Sequence, residues 1–74
     1  MENFGKVLKE LRIERGLSQD QLGKSLGYKI HGIITQWESG KIFPVIENLI
    51  AIAKFFGVSI DYLVDYDVGT GGRT

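Results

Sequence analysis

Phe4, Val7, Leu8 and Leu11 recur at helical spacing, the aliphatic stem of Arg15 extends their stripe by a turn, and Lys6, Lys9, Glu10 and Glu14 lie between them. With Gly16 as a stop, the pattern predicts a first helix over about 4–15. Ser18 and Gln21 have the spacing of a capping box, in which each side chain satisfies the other residue's backbone amide. They open a second helix over 18–26, with Leu22 and Leu26 facing inward and Gly27 closing it in the left-handed conformation. Ile30, Ile33, Ile34 and Trp37 stand at i, i+3, i+4 and i+7, which predicts a third helix over Ile30–Ser39. Its β-branched residues could also form a strand, but they do not alternate with polar ones. Pro44 fits the first turn of a fourth helix whose Ile46, Leu49, Ile50, Ala53 and Phe56 face inward before Gly57. Ser59 then caps a short fifth helix with Ile60, Leu63 and Val64. The expected fold is all-α, with five helices around one core over residues 1–66. Residues 67–74, rich in glycine and with little to bury, are expected to be a mobile tail.

Composition narrows the function classes. The chain has 74 residues, 43% hydrophobic and 24% charged, in the range of ordinary globular domains. It has no cysteine, so neither a disulfide framework nor a thiolate zinc site is available. No signal-like segment opens the sequence and no apolar run is long enough to span a bilayer, so the expected compartment is the cytoplasm. One histidine and scattered carboxylates offer no catalytic constellation, and no cofactor is expected. Asp61, Asp65 and Asp67 lack the glycine and glutamate of a calcium loop, and read as a solvated acidic face. The formal charge is zero, from 9 basic and 9 acidic residues, which by itself argues against nucleic acid. The sum conceals a gradient. Residues 1–41 carry seven bases (Lys6, Lys9, Arg12, Arg15, Lys24, Lys29, Lys41) against five acids (Glu2, Glu10, Glu14, Asp20, Glu38). Residues 42–74 carry two bases (Lys54, Arg73) against four acids (Glu47, Asp61, Asp65, Asp67).

A capped helix, a glycine, a short turn and an apolar-striped helix form the order of a helix-turn-helix. The residues Gly16-Leu17-Ser18-Gln19, Leu22 to Gly27, Ile34, Trp37-Glu38-Ser39-Gly40-Lys41 with Pro44, and Phe56-Gly57-Val58-Ser59 with Asp61-Tyr62-Leu63 extend it over about 4–65. In these residues the chain resembles the Cro and phage-repressor type helix-turn-helix family, prokaryotic and phage transcriptional regulators with a lambda-repressor-like fold. It departs from that pattern twice. Nine residues, 28–36, separate Gly27 from Trp37, one more than the family commonly has. A register shift would instead bury the Gln36 amide, at a cost of about 1–3 kcal/mol, so a longer turn is the better reading. Gly23 stands where the family usually has alanine, at the crossing of the second and third helices.

The resemblance implies a double-stranded DNA operator as partner and the third helix as the element that enters its major groove. Gln19, at the positive end of the second helix, matches a glutamine that donates to a phosphate. Gln36 points away from the apolar stripe, where its amide can pair with adenine N6 and N7. Thr35 matches a contact to a thymine methyl or a phosphate. His31 and Gly32 match the first positions of the recognition helix. Lys29 and Lys41 match backbone clamps, and the amides of Ser39, Gly40 and Lys41 lie where a phosphate can meet them. Arg12 and Glu38 match a structural salt bridge between the first helix and the end of the third. No metal site is implied.

The function expected on this basis is a sequence-specific transcriptional regulator, a repressor, working as a homodimer on a near-palindromic operator at the nucleoid. Tyr62, Val64 and Tyr66 are the candidate dimer surface. The alternative reading is an antitoxin or other protein-interaction module of the same fold, binding a partner such as a toxin, which the acidic second half would suit.

Overall fold

A computed structural model describes residues 3–30 and 32–64. Among them are five helices: α1 (Phe4–Glu14), α2 (Gln19–Ser25), α3 (Ile33–Ser39), α4 (Ile46–Phe56) and α5 (Ile60–Val64). The predicted tail, Asp65, Asp67, Tyr66 and His31 lie outside the described residues.

Local chemistry sets the first two helices as expected. Ser18 accepts from the Gln21 amide at 3.0 Å, and the Gln21 side chain accepts from the Ser18 amide at 2.8 Å. This reciprocal cap satisfies two amides that a helix N-terminus otherwise leaves open. Arg15 caps α1, and its guanidinium lies over Phe55 and Phe56, 5.5 and 5.2 Å from the ring centroids. The charged end of the predicted stripe therefore ties α1 to the C-terminal turn of α4 through a cation–π contact.

Two predicted helix starts need correction. α3 begins at Ile33, not Ile30, because Gly32 sits at φ +84°, a left-handed geometry that cannot lie inside a right-handed helix. Ile30 consequently leaves the apolar stripe and is 68% exposed. α4 begins at Ile46 with Val45 as its N-cap, so Pro44 precedes the helix instead of forming its first turn. Its inward face also differs: Leu49, Ile52, Ala53 and Phe56 are buried, whereas Ile46 and Ile50 are 55% and 41% exposed.

The core joins Phe4, Val7, Leu8 and Leu11 of α1 to Leu22, Ile34, Trp37, the inner face of α4, and Leu63 and Val64 of α5. α1 packs on α3 and α5, α2 packs on α3, and α4 packs on α5. The α1–α3 approach depends on Gly5. A Cβ there would stand 2.9 Å from both the Trp37 carbonyl oxygen and the Glu38 carbonyl carbon. Trp37 is 1% exposed, as the longer-turn reading requires. Val64 is buried as well, which removes it from the candidate dimer surface; Tyr62 remains exposed.

Candidate nucleic-acid interface

The seven-residue α2 and α3 are short, so the segment between them must be held by its own contacts. Gly27, at φ +84°, turns the chain, and the Tyr28 amide donates to the Gly23 carbonyl at 3.0 Å. The Tyr28 ring meets Trp37 edge-on at 5.3 Å, and its hydroxyl donates to Asn48 Oδ1 at 2.7 Å. One side chain thus fastens the long turn to α3 and α4 together. Burial raises the Tyr28 pKa, because the phenolate would lose hydration there. Beyond Tyr28, Lys29 and Ile30 project into solvent.

α3 buries Ile34 and Trp37, leaves Thr35 and Ser39 exposed, and leaves Gln36 and Glu38 partly so. Glu38 is the hub. Arg12 donates to it through Nε at 2.6 Å and through its second guanidinium nitrogen at 3.0 Å, while another nitrogen donates to the Leu17 carbonyl at 2.9 Å. The Arg12 and Glu38 side chains are 11% and 5% exposed. The hydrogen bond to Glu38 raises the arginine pKa, partly opposed by desolvation, so the guanidinium keeps its charge at any relevant pH.

Glu38 also accepts from Gln19 Nε2 at 2.9 Å, and Gln19 Oε1 accepts from the Thr35 hydroxyl at 2.7 Å. The chain Arg12–Glu38–Gln19–Thr35 therefore runs from α1 through α3 to the exposed surface. It fixes hydrogen-bond polarity as well as position. Gln19 keeps one free Nε2 hydrogen to donate, and Thr35, its proton committed, keeps its lone pairs and methyl group.

The other predicted contacts fare unequally. Gly32, partly buried, is the N-cap of α3. The Lys41 side chain is exposed, but its amide donates to the Gln36 carbonyl at 3.0 Å, and the Gly40 amide donates to the Trp37 carbonyl at 3.3 Å. Those two amides close the C-terminus of α3 and are not open to a phosphate, contrary to the expectation from sequence. The Ser39 hydroxyl likewise donates inward, to the Gln36 carbonyl at 3.1 Å. Sequence reasoning missed the Gln19–Glu38 and Tyr28–Asn48 bonds, whose partners lie 19 and 20 residues apart with no local signal.

Among the described residues no helix is long and apolar enough to cross a membrane. A family model described as Helix-turn-helix matches residues 8–63. The transcriptional activator BcrR of Enterococcus faecalis is 44% identical over 61 residues, which cover 82% of this chain and 29% of that protein. The cryptic phage CTXphi transcriptional repressor RstR of Vibrio cholerae is 33% identical over 61 residues, 82% of this chain and 54% of its own length. An uncharacterized HTH-type regulator of Methanocaldococcus jannaschii is 40% identical over 60 residues, covering 81% and 89% of the two chains. The chain thus spans about a third to a half of the first two relatives. No solved structure matches it.

Proposed function

The chain belongs to the helix-turn-helix family of DNA-binding transcription regulators, and from that premise we propose that it reads a specific double-stranded operator with α3 in the major groove. Gln36 and Thr35 face the base edges. Gln36 donates and accepts at adenine, and Thr35 meets a thymine methyl or accepts from a base amine. Gln19, Lys29 and Lys41 hold the phosphates, and Gly32, the N-cap of α3, stands at the leading end of the reading surface; a DNA contact by His31 rests on the family resemblance alone. The Ser39 hydroxyl contributes only by giving up its bond inside the helix. The observation that carries the reading is the 2.7 Å bond from Thr35 to Gln19, which joins the phosphate-facing and base-facing residues into one rigid surface. Arg12 and Glu38 hold that surface in place and touch no base.

The regulator acts as a repressor, since occupying a promoter is enough to exclude another protein, and as a homodimer, since two half-sites multiply the selectivity of a small module. Residues 1–66 form the binding unit, residues 67–74 lie beyond it, and the setting is the cytoplasm, at the nucleoid.

Selection from a pool of randomised duplexes tests the proposal. A consensus should emerge whose affinity falls linearly in log–log form with salt. Gln36→Ala should weaken discrimination at one base pair by about 1–3 kcal/mol while leaving the melting temperature unchanged. A pool that yields no consensus, together with salt-independent binding, rejects it.

A further inference from the structure

Five exposed large apolar residues fall close together in the chain, from the α3–α4 loop into the outer face of α4. Ile42, Phe43, Val45, Ile46 and Ile50 are 45%, 40%, 61%, 55% and 41% exposed. Together they offer on the order of 500 Å² of accessible surface, the size of the largest apolar patch on a typical monomer, which is often functional. Ile42 and Phe43 also line a groove with Phe4, Gly5 and Trp37.

A second observation says that this apolar character is not incidental. Val45 is the N-cap of α4 and makes no side-chain cap bond. Ser, Thr, Asp or Asn at that position would stabilise the helix, and Val45 packs into no core in exchange. The position gives up fold stability while exposing a hydrophobic group.

A third observation identifies the occupant. Glu47 and Lys54 are exposed on α4, seven residues apart and so nearly in line along the helix, and their midpoint falls beside Ile50. Two α4 helices laid antiparallel about a two-fold axis between Ile50 and Ala51 bring Glu47 of each against Lys54 of the other. The same rotation lays Val45 and Ile46 over the C-terminal turn of the partner helix. An acid and a base placed symmetrically about an apolar centre form a self-complementary surface, which an isologous dimer requires.

We propose that this surface binds a second copy of the chain through antiparallel α4 helices. The inference rests on the proposed homodimer and replaces the α5 surface suggested by sequence. Two copies bury on the order of 1,000 Å² at most, at the low end of specific interfaces, so the dimer is weak in solution and is reinforced on DNA.

Sedimentation equilibrium of the full chain without DNA, from micromolar to millimolar concentration, tests this. The wild type should show a monomer–dimer equilibrium. Val45→Asp should weaken it at least tenfold while raising Tm by about 4–8 °C through the new cap, so loss of the dimer cannot be ascribed to unfolding. Glu47→Lys and Lys54→Glu should each weaken association, and the double variant should restore it. A chain that stays monomeric to 1 mM overturns the proposal, including the case where the same patch captures a different protein. A dimer indifferent to Val45→Asp, or a double variant that stays monomeric, overturns it as well. DNA binding is read separately: wild-type protein that dimerises but selects no duplex consensus refutes the regulator reading and leaves the dimer surface standing.

Discussion

Two glycine-to-alanine substitutions, identical in chemistry, should move stability in opposite directions. Gly5 and Gly23 are both buried in helices, α1 and α2, and each lies against α3. Alanine in place of glycine in a helix interior gains about 1 kcal/mol of propensity, so local physics alone predicts that both stabilise. Their surroundings differ. At Gly23 the new Cβ would meet Ile34 Cγ1 at 3.7 Å, an ordinary contact that also buries a methyl group. Gly23→Ala should therefore stabilise by about 1 kcal/mol. At Gly5 the Cβ would stand 2.9 Å from the Glu38 carbonyl carbon and the Trp37 carbonyl oxygen, with the Glu38 carbonyl oxygen closer still. These are backbone atoms, which cannot rotate away as a side chain does. α1 must retreat by roughly 0.5–1 Å, and a gap of that size forfeits about a quarter to a half of each dispersion contact made by Phe4, Val7, Leu8 and Leu11. With the propensity gain subtracted, Gly5→Ala should destabilise by about 1–3 kcal/mol, a large fraction of the roughly 4–11 kcal/mol that a domain of this length possesses. Urea unfolding followed by the fluorescence of the single tryptophan, Trp37, reads both variants. Shifts of the same sign, or a Gly5→Ala protein as stable as the wild type, would refute the close α1–α3 approach and the argument built on it.

Other consequences follow from the site. Glu38→Ala leaves the Arg12 guanidinium without its carboxylate at a position 11% exposed; the loss should be about 3 kcal/mol, visible in a thermal melt. Lys29→Ala and Lys41→Ala should each reduce the magnitude of the log affinity–log salt slope by about 0.9, by the same amount on specific and random duplexes, with no change in base preference. Tyr28 gives a pH signature. Its pKa is raised above the ordinary 10.0 by burial, so its contribution to stability is complete below pH 10 and is lost as pH rises through the higher folded value. Tyr28→Phe keeps the ring contact with Trp37 but loses the bond to Asn48. It should cost about 1 kcal/mol at neutral pH and flatten the alkaline decline in Tm.

The parts of the fold legible in the sequence were those set by neighbours in the chain. Ser18 and Gln21 cap α2 because three residues of spacing bring their groups together whatever the rest of the molecule does. The start of α3 was not legible, because Ile30 fits a helical stripe by spacing alone, and the sign of φ at Gly32 leaves no mark in an apolar pattern. α4 misled for a different reason. Its sequence, Ile46–Phe56, is apolar nearly all round, so periodicity cannot say whether Ile50 or Ile52 faces the core. The decision comes from the tertiary packing: α5 lies against α4, and Ile52 is buried in the common core while Ile46 and Ile50 are left to solvent. In the candidate site, residue types were readable from the resemblance, but their wiring was not. Gln19 appears in the sequence as a polar residue at a helix start, and nothing local shows that one end of its amide is held by Glu38 and the other by Thr35.

That wiring bears on how a chain of zero net charge can engage a polyanion. The basic excess of residues 1–41 is small, so the non-specific attraction that dominates many DNA-binding proteins is weak here and easily screened by salt. Affinity must then come from a few well-placed groups, and an uncompensated carboxylate behind them would cancel much of it. Glu38 stands directly behind Gln19. Arg12 neutralises it with two hydrogen bonds inside a nearly closed site. What the surface presents at Gln19 is a neutral amide, held in one orientation by an acid whose own field is already balanced. The salt bridge therefore serves the binding face even though neither of its members belongs to it. Glu38→Gln should separate the two roles: the hydrogen bond to Gln19 can persist, while Arg12 is left with a neutral partner and an unbalanced positive charge. Stability should fall, and non-specific DNA affinity should rise at low salt. Duplex titrations at low and high salt decide it, and a fall in low-salt affinity in the folded variant would show that Glu38 does not act through its charge.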